Sequence, residues 1–175
     1  MRRSTAAAIG SAAWFVAMPG TFMVLIPWRI TGGEFHRPLP YWIVARAVGV
    51  LLICAGLVPI VTVFVQFTMA GGTPMPLAPP QHLVVTGFNR YVRNPAYVGF
   101  LMVILGETLL FGEFGLLEYA AICWAVGAAG VRWYEEPSLT RRFGPEYEAY
   151  RRAVPAWWPR LRPWTPSERD VSGAR

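Results

Sequence analysis

Charge is scarce in this chain, and most of it is of one sign. Asp, Glu, Lys and Arg together make up 15% of the 175 residues, against roughly 25% in soluble domains. Lysine is absent, so all 16 basic residues are arginine, and the only aspartate is Asp170, near the C-terminus. A Ser-His-Asp triad therefore lacks its orienting acid in the body of the chain. The two cysteines, Cys54 and Cys123, each stand alone inside an apolar stretch, which excludes a disulfide framework and a thiolate metal motif. His36 and His82 are isolated loop residues without ligand spacing, and no metal site is expected. No G-x-G-x-x-G follows a strand, so a Rossmann cofactor site is excluded. A net charge of +6 and a pI near 9.9 invite a nucleic-acid reading. The arginines, however, flank apolar spans, and neither an aromatic-basic sheet pattern, zinc spacing nor a helix-turn-helix is present; no nucleic-acid partner is expected.

What the chain does have is long apolar runs, such as Leu101 to Leu105 inside a still longer block, with 54% hydrophobic residues overall. These predict a single-domain, all-α integral membrane protein with about four transmembrane helices. The first span covers Ala6 to about Trp28. Its length favours a retained helix over a cleaved signal, and Pro19 and Pro27 are expected to kink or end it. The second lies within Tyr41 to Ala70, with Arg46 one turn inside its start, placed to snorkel, and Pro59 predicting a bend. A Gly/Pro-rich loop follows from Gly71 to Pro80, then a short extended or interfacial piece over Leu83 to Gly87. The third span runs from Pro95, a favourable first helical residue, to Phe111. Gly112-Glu113 makes a tight turn into the fourth, Phe114 to about Tyr134. After Tyr134 two short helices are expected, Pro137 to Phe143 and Pro145 to Ala153, broken at Gly144-Pro145. Trp157, Trp158 and Trp164, interleaved with Arg160 and Arg162, suit the headgroup layer, and the residues from Ser167 are expected to be disordered. Four crossings put most arginines on one side, with Arg29, Arg37 and Arg46 on the other. The positive-inside rule then makes both termini cytoplasmic, in what is expected to be the plasma membrane.

Two polar segments break the apolar pattern: Arg90 to Gly99, and Arg132 to Glu136 with the residues that follow. The hairpin returns the chain to its starting side, so Asn94 and Tyr97 converge with Glu135 and Glu136. Arg93 offers a planar donor fork for a carboxylate or phosphate. Adjacent glutamates offer acceptors for hydroxyls, an amine or a cationic centre. S-adenosylmethionine carries a carboxylate, an amine, ribose hydroxyls and a sulfonium, and would use both sets. Gly99 permits close approach of a cofactor or of another helix. The same charges could equally anchor helix ends and pair with one another, and the spacing alone leaves both open. Glu107, the one acid inside the third span, either lines a substrate channel or snorkels to the far interface; Glu118 reads as interfacial.

Arg93-Asn94-Pro95-Ala96-Tyr97-Val98-Gly99 resembles the R-[HN]-P-x-Y-x-G motif of integral membrane methyltransferases, the isoprenylcysteine carboxyl methyltransferase and phospholipid methyltransferase superfamily. Glu135-Glu136, Leu139, Phe143-Gly144, Tyr147, Tyr150 and Val154-Pro155 resemble that superfamily's C-terminal signature, and LAPPQHLVVTGFNRYVRNP resembles its approach loop. The likeness covers Gly71 to Arg160, about half the chain. It implies a donor held at the cytoplasmic face between the hairpin and the C-terminal segment, with S-adenosylmethionine as cofactor. Arg93, Asn94, Pro95, Tyr97, Gly99, Glu135 and Glu136 would bind that donor. Arg132 and Glu136 would carry catalysis, Arg132 resembling an arginine that lies near the substrate in some members. Asn94 stands where many members have histidine; it donates and accepts hydrogen bonds but does not titrate. The organisation expected is 1–70 as two generic helices, 71–160 as a methyltransferase core and 161–175 as a partly disordered tail.

The function expected is methyl transfer to a lipophilic acceptor, such as an isoprenoid-linked carboxylate or a phospholipid amine, with membrane lipids as surroundings and no obligate protein partner. An NADPH-dependent reductase of the sterol-reductase type and a non-catalytic membrane subunit are the alternatives.

Overall fold

A computed structural model describes residues 17–69, 83 and 85–165. Most of the first expected span, the Gly71 to Pro80 loop and the tail from Ser167 lie outside the described residues. Within them every regular element is helical. The first helix covers 17–31, with a π turn at Thr21–Leu25 leading into α1 (Ile26–Thr31), which stops at Gly32 in the left-handed region, φ 62°. α2 spans Trp42–Met69, and a 3₁₀ turn covers Gly87–Arg90. α3 (Pro95–Phe111) and α4 (Gly115–Gly130) form the hairpin, and a second π turn, Val131–Glu135, leads into α5 (Glu136–Ala153).

The two π turns explain where the helices depart from expectation. Proline has no N–H to donate, and its ring collides with the carbonyl four residues back. In both places a wide turn precedes the proline: the Ile26 N–H bonds the Thr21 carbonyl just before Pro27, and the Glu136 N–H bonds the Val131 carbonyl just before Pro137. Each inserted turn absorbs a break that a strict α-helical ladder could not. The first helix therefore passes Pro27 instead of ending there, and the chain stays helical through Tyr134 where a break was expected. The break at Gly144 does occur, with φ 50° and ψ −126° inside α5. Pro59 lies within α2 without ending it.

α2 and α3 run antiparallel, and four glycines set their spacing. A Cβ on Gly49 would lie 2.5 Å from the Gly106 carbonyl oxygen, and one on Gly56 would lie 2.5 Å from that of Gly99. Both pairs recur at seven residues, the repeat that keeps two helices in register over two turns. The hairpin turns on Gly112, φ 72°, whose N–H caps the Thr108 carbonyl at 2.8 Å. Ile104, Leu116 and Ala120 close the α3–α4 contact. A separate apolar cluster of Tyr147, Tyr150 and Val154 packs α5 onto Leu83, Val85 and Trp164.

α2 is long and apolar enough to cross a membrane: Trp42–Gln66 has mean hydropathy 2.8, and only 17% of its most apolar window is buried. A soluble core helix would be mostly buried. α3 is apolar but shorter; its 17 residues rise about 25 Å, near the roughly 30 Å of hydrocarbon. Of the four crossings expected, α2 alone meets both requirements among the described residues.

Candidate active site

The open end of the hairpin gathers most of the residues singled out in the sequence. Pro95 is buried as the first residue of α3, where its missing N–H removes no helical bond. Two residues on, the Tyr97 ring lies against Gly127 of α4, where a Cβ would come within 3.1 Å of two ring carbons. That close fit aims the hydroxyl at Glu135, to which it donates at 2.8 Å. Trp157 stands edge-on to Tyr97, with centroids 6.1 Å apart, and to Trp124 of α4 at 6.3 Å. No cation pairs with Glu135 among the described residues.

Glu136 is the opposite case. Its side chain is 9% exposed and three guanidiniums surround it. Arg93, itself 11% exposed, makes a hydrogen-bonded ion pair with Oε1. Arg132 and Arg151 approach Oε2 at 3.6 and 3.9 Å, both beyond hydrogen-bond reach and both substantially exposed. Arg93 also donates through Nε to the Val154 carbonyl at 3.0 Å and through Nη1 to the Tyr147 hydroxyl at 3.2 Å. Burial pushes the Tyr147 hydroxyl above its ordinary range despite the opposing pull of Arg93, and burial does the same to Tyr150. Both therefore stay neutral hydrogen-bonding groups. Tyr150 donates to the Asn89 carbonyl at 2.7 Å.

The segment after α5 lies across this cluster as a strap. Backbone bonds run from Arg93 N–H to the Pro155 carbonyl at 2.9 Å, from Arg160 N–H to the Tyr91 carbonyl at 3.0 Å and from Trp164 N–H to the Arg90 carbonyl at 2.9 Å. The Asn94 amide donates to the Ala156 carbonyl at 3.1 Å. Of the three tryptophans expected in the headgroup layer, only Trp158, 80% exposed, faces outward. Trp157 turns in to Tyr97, and Trp164 packs on Tyr150 at 5.6 Å.

The structure thus brings together Arg93, Asn94, Tyr97, Arg132, Glu135 and Glu136. It sets Gly99 apart, against Gly56 of α2, where its role is helix contact. Glu107 lies three turns along α3 from Tyr97, with one carboxylate oxygen buried and unpartnered, which a snorkelling side chain would not show. Sequence reasoning missed Arg151 and Trp157 as neighbours of the cluster. Arg151 follows Tyr147 by four residues, a helical spacing that was legible; the inward turn of Trp157 depends on the strap and was not.

Residues 44–146 match the family model of phospholipid methyltransferase. Over 80 residues, 45% of this chain, the sequence is 40% identical to a protein-S-isoprenylcysteine O-methyltransferase of Schizosaccharomyces pombe, covering 34% of that protein. Over 78 residues, 44% of the chain, it is 32% identical to protein-S-isoprenylcysteine O-methyltransferase B of Arabidopsis thaliana, covering 39% of it. The match therefore spans little more than a third of either relative. No solved structure gives a significant match. With well over half its length accounted for by one family model, the chain belongs to the phospholipid methyltransferase family.

Proposed function

We propose that the chain is an S-adenosylmethionine-dependent methyltransferase of the membrane, acting on a lipophilic acceptor at the cytoplasmic face. The observation that carries this reading is the split character of the polar cluster. At one end Glu135 is held by Tyr97 beside Trp157, a carboxylate and aromatic surface suited to a sulfonium or an amine. At the other, Arg93, Arg132 and Arg151 crowd one glutamate and suit a carboxylate. A donor carrying both charges fits the set.

S-adenosylmethionine, when bound, supplies an electrophilic methyl group for in-line displacement. Alignment then supplies much of the rate. Arg93, Asn94, Pro95, Tyr97, Glu135 and Glu136 hold and orient; Arg132, 67% exposed, stands at the rim where an acceptor arrives. Protonating Glu136 would dismantle its pair with Arg93 and its contacts with two further arginines, so it is badly placed to take a proton from an amine or thiol. An acceptor already ionised, a carboxylate on a lipophilic body, needs no such step. That matches the O-methyl chemistry named for the two relatives, and an isoprenoid-linked carboxylate is the acceptor we favour. Nine arginines between Arg90 and Arg162 lie on the site's side of the hairpin against Arg29, Arg37 and Arg46 beyond it, which favours a cytoplasmic site and cytoplasmic termini across four crossings of a cell membrane.

The deciding experiment is thermal melting of detergent-solubilised protein with S-adenosylhomocysteine. Ligand bound only to the folded state raises the melting temperature. No shift at millimolar ligand sinks the reading. A shift produced by NADPH instead favours a reductase.

A further inference from the structure

The end of the hairpin remote from the cluster carries a second, unassigned feature. The loop before α2 and the first turn of that helix border an open recess of about 580 Å³, lined by Arg37, Pro38, Tyr41, Trp42, Ile43 and Arg46 among others. Its two charges are both positive. Arg37 makes no hydrogen bond or ion pair among the described residues. Arg46 donates through Nη2 to the His36 carbonyl at 3.0 Å and lies 5.3 Å from the Phe35 ring centroid, while its Nε is buried without a partner. That nitrogen is sealed from the recess, so the groups left to meet an acceptor there are the Arg37 guanidinium and Nη1 of Arg46. The nearby acids do not supply one, because Glu34 and Glu113 face His36 at 3.8 and 3.9 Å. On the wall of the recess Tyr41 holds φ 62°, a left-handed backbone that a bulky side chain rarely adopts, and the residue is 89% exposed.

Directly beyond the recess α2 becomes an exposed apolar stripe: Val44, Val48, Leu51 and Val58, at helical spacings of four, seven and fourteen residues, are each between 44% and 68% exposed. A cationic recess continuous with an apolar helix face is complementary to an amphiphile with an anionic head. We propose that the recess seats the phosphate of an anionic phospholipid, with Arg37 and Arg46 as donors and an acyl chain along the Val44–Leu51 face. The proposal rests on α2 crossing a bilayer and on nothing about methyl transfer. A free phosphate would use the arginines but leave the stripe without a role.

The test is melting of the full chain in neutral detergent with added phosphatidylglycerol, phosphatidylcholine or inorganic phosphate. Phosphatidylglycerol should raise the melting temperature, and the other two should not. Arg37→Gln, which removes no contact within the protein, should leave the lipid-free melting temperature unchanged and abolish most of the shift. Arg46→Gln should do the same to the shift if the protein folds without its bond to His36. Arg141→Gln/Arg142→Gln, on exposed residues at the other face, should leave the shift intact. An equal shift with phosphatidylcholine or with phosphate alone overturns the assignment. So does a shift that survives Arg37→Gln or that disappears in Arg141→Gln/Arg142→Gln.

Discussion

Removing the carboxylate of Glu136 tests whether the buried ion pair holds the site together. Glu136 and Arg93 are 9% and 11% exposed, so Glu136→Gln leaves a nearly buried guanidinium with a neutral partner. Breaking one half of a buried pair costs about 3–5 kcal/mol, whereas replacing both halves with apolar groups of similar size is often close to neutral. The contacts of Arg132 and Arg151 add little, since both are well exposed and screened. For a chain of this length, about 2–4 °C per kcal/mol gives a melting shift of roughly 6–20 °C for the single variant. Arg93→Met should cost at least as much, because its bonds to Val154 and Tyr147 go too. The double variant Arg93→Met/Glu136→Leu should melt well above the temperature expected from adding the two single effects, while methyl transfer stays absent in all three. The assay is a double-mutant cycle on melting temperature in one detergent, with donor binding measured alongside. Strict additivity would refute the argument, because uncoupled residues contribute independently.

Tyr97→Phe removes the hydroxyl that fixes Glu135 and should weaken donor binding about tenfold, the equivalent of about 1.4 kcal/mol, read by titration with S-adenosylhomocysteine. Gly99→Leu should lower the yield of folded protein, and Gly106→Leu, which meets Gly49 and Ile53 two turns away from the site, should do so comparably; a selective loss of donor affinity in folded Gly99→Leu would instead place Gly99 in the pocket. Tyr150→Phe leaves the Asn89 carbonyl without its buried donor and should cost about 1–3 kcal/mol of stability. Because Tyr150 is pushed above the ordinary tyrosine value of about 10, the folded state keeps a proton that the unfolded chain releases, so stability is full below pH ~10 and falls as pH rises past it. Tyr150→Phe should flatten that alkaline fall.

How much of this was legible in the sequence varies with the kind of interaction. The limits of α3, Pro95 and Phe111, were read correctly because proline starts helices and glycine at a positive φ ends them, both local effects. The convergence of Tyr97 with Glu135 followed from a hairpin whose turn and lengths were visible. The π turns were not legible, since a proline in the sequence says that the ladder must yield but not how. For Gly99 the sequence left cofactor approach and helix contact both open, because it cannot show which backbone comes close; its partner, Gly56, lies across a loop of unrelated composition. Trp157 was read as a lipid anchor for a similar reason. The strap that turns it inward is held by main-chain bonds to Arg90, Tyr91 and Arg93, which leave no mark in side-chain patterns.

The same strap bears on Asn94. The residue caps α3 by position, yet its side chain makes no capping bond to the helix. Its amide reaches across to the Ala156 carbonyl instead, beside the backbone bond from Arg93 to Pro155. Asn94 therefore acts here as a donor that ties the start of α3 to the segment covering the site. A histidine at this place would also have a ring N–H to donate, but an unperturbed imidazole titrates near pH 6.5 and asparagine does not. The tie to Ala156 needs only a donor, and the Asn94 amide supplies one that does not titrate. Arg93 and Asn94 are adjacent, and each fastens a different carbonyl of the strap. Beside any ligand contacts it makes, the motif is thus the line along which the C-terminal segment is fastened over the hairpin.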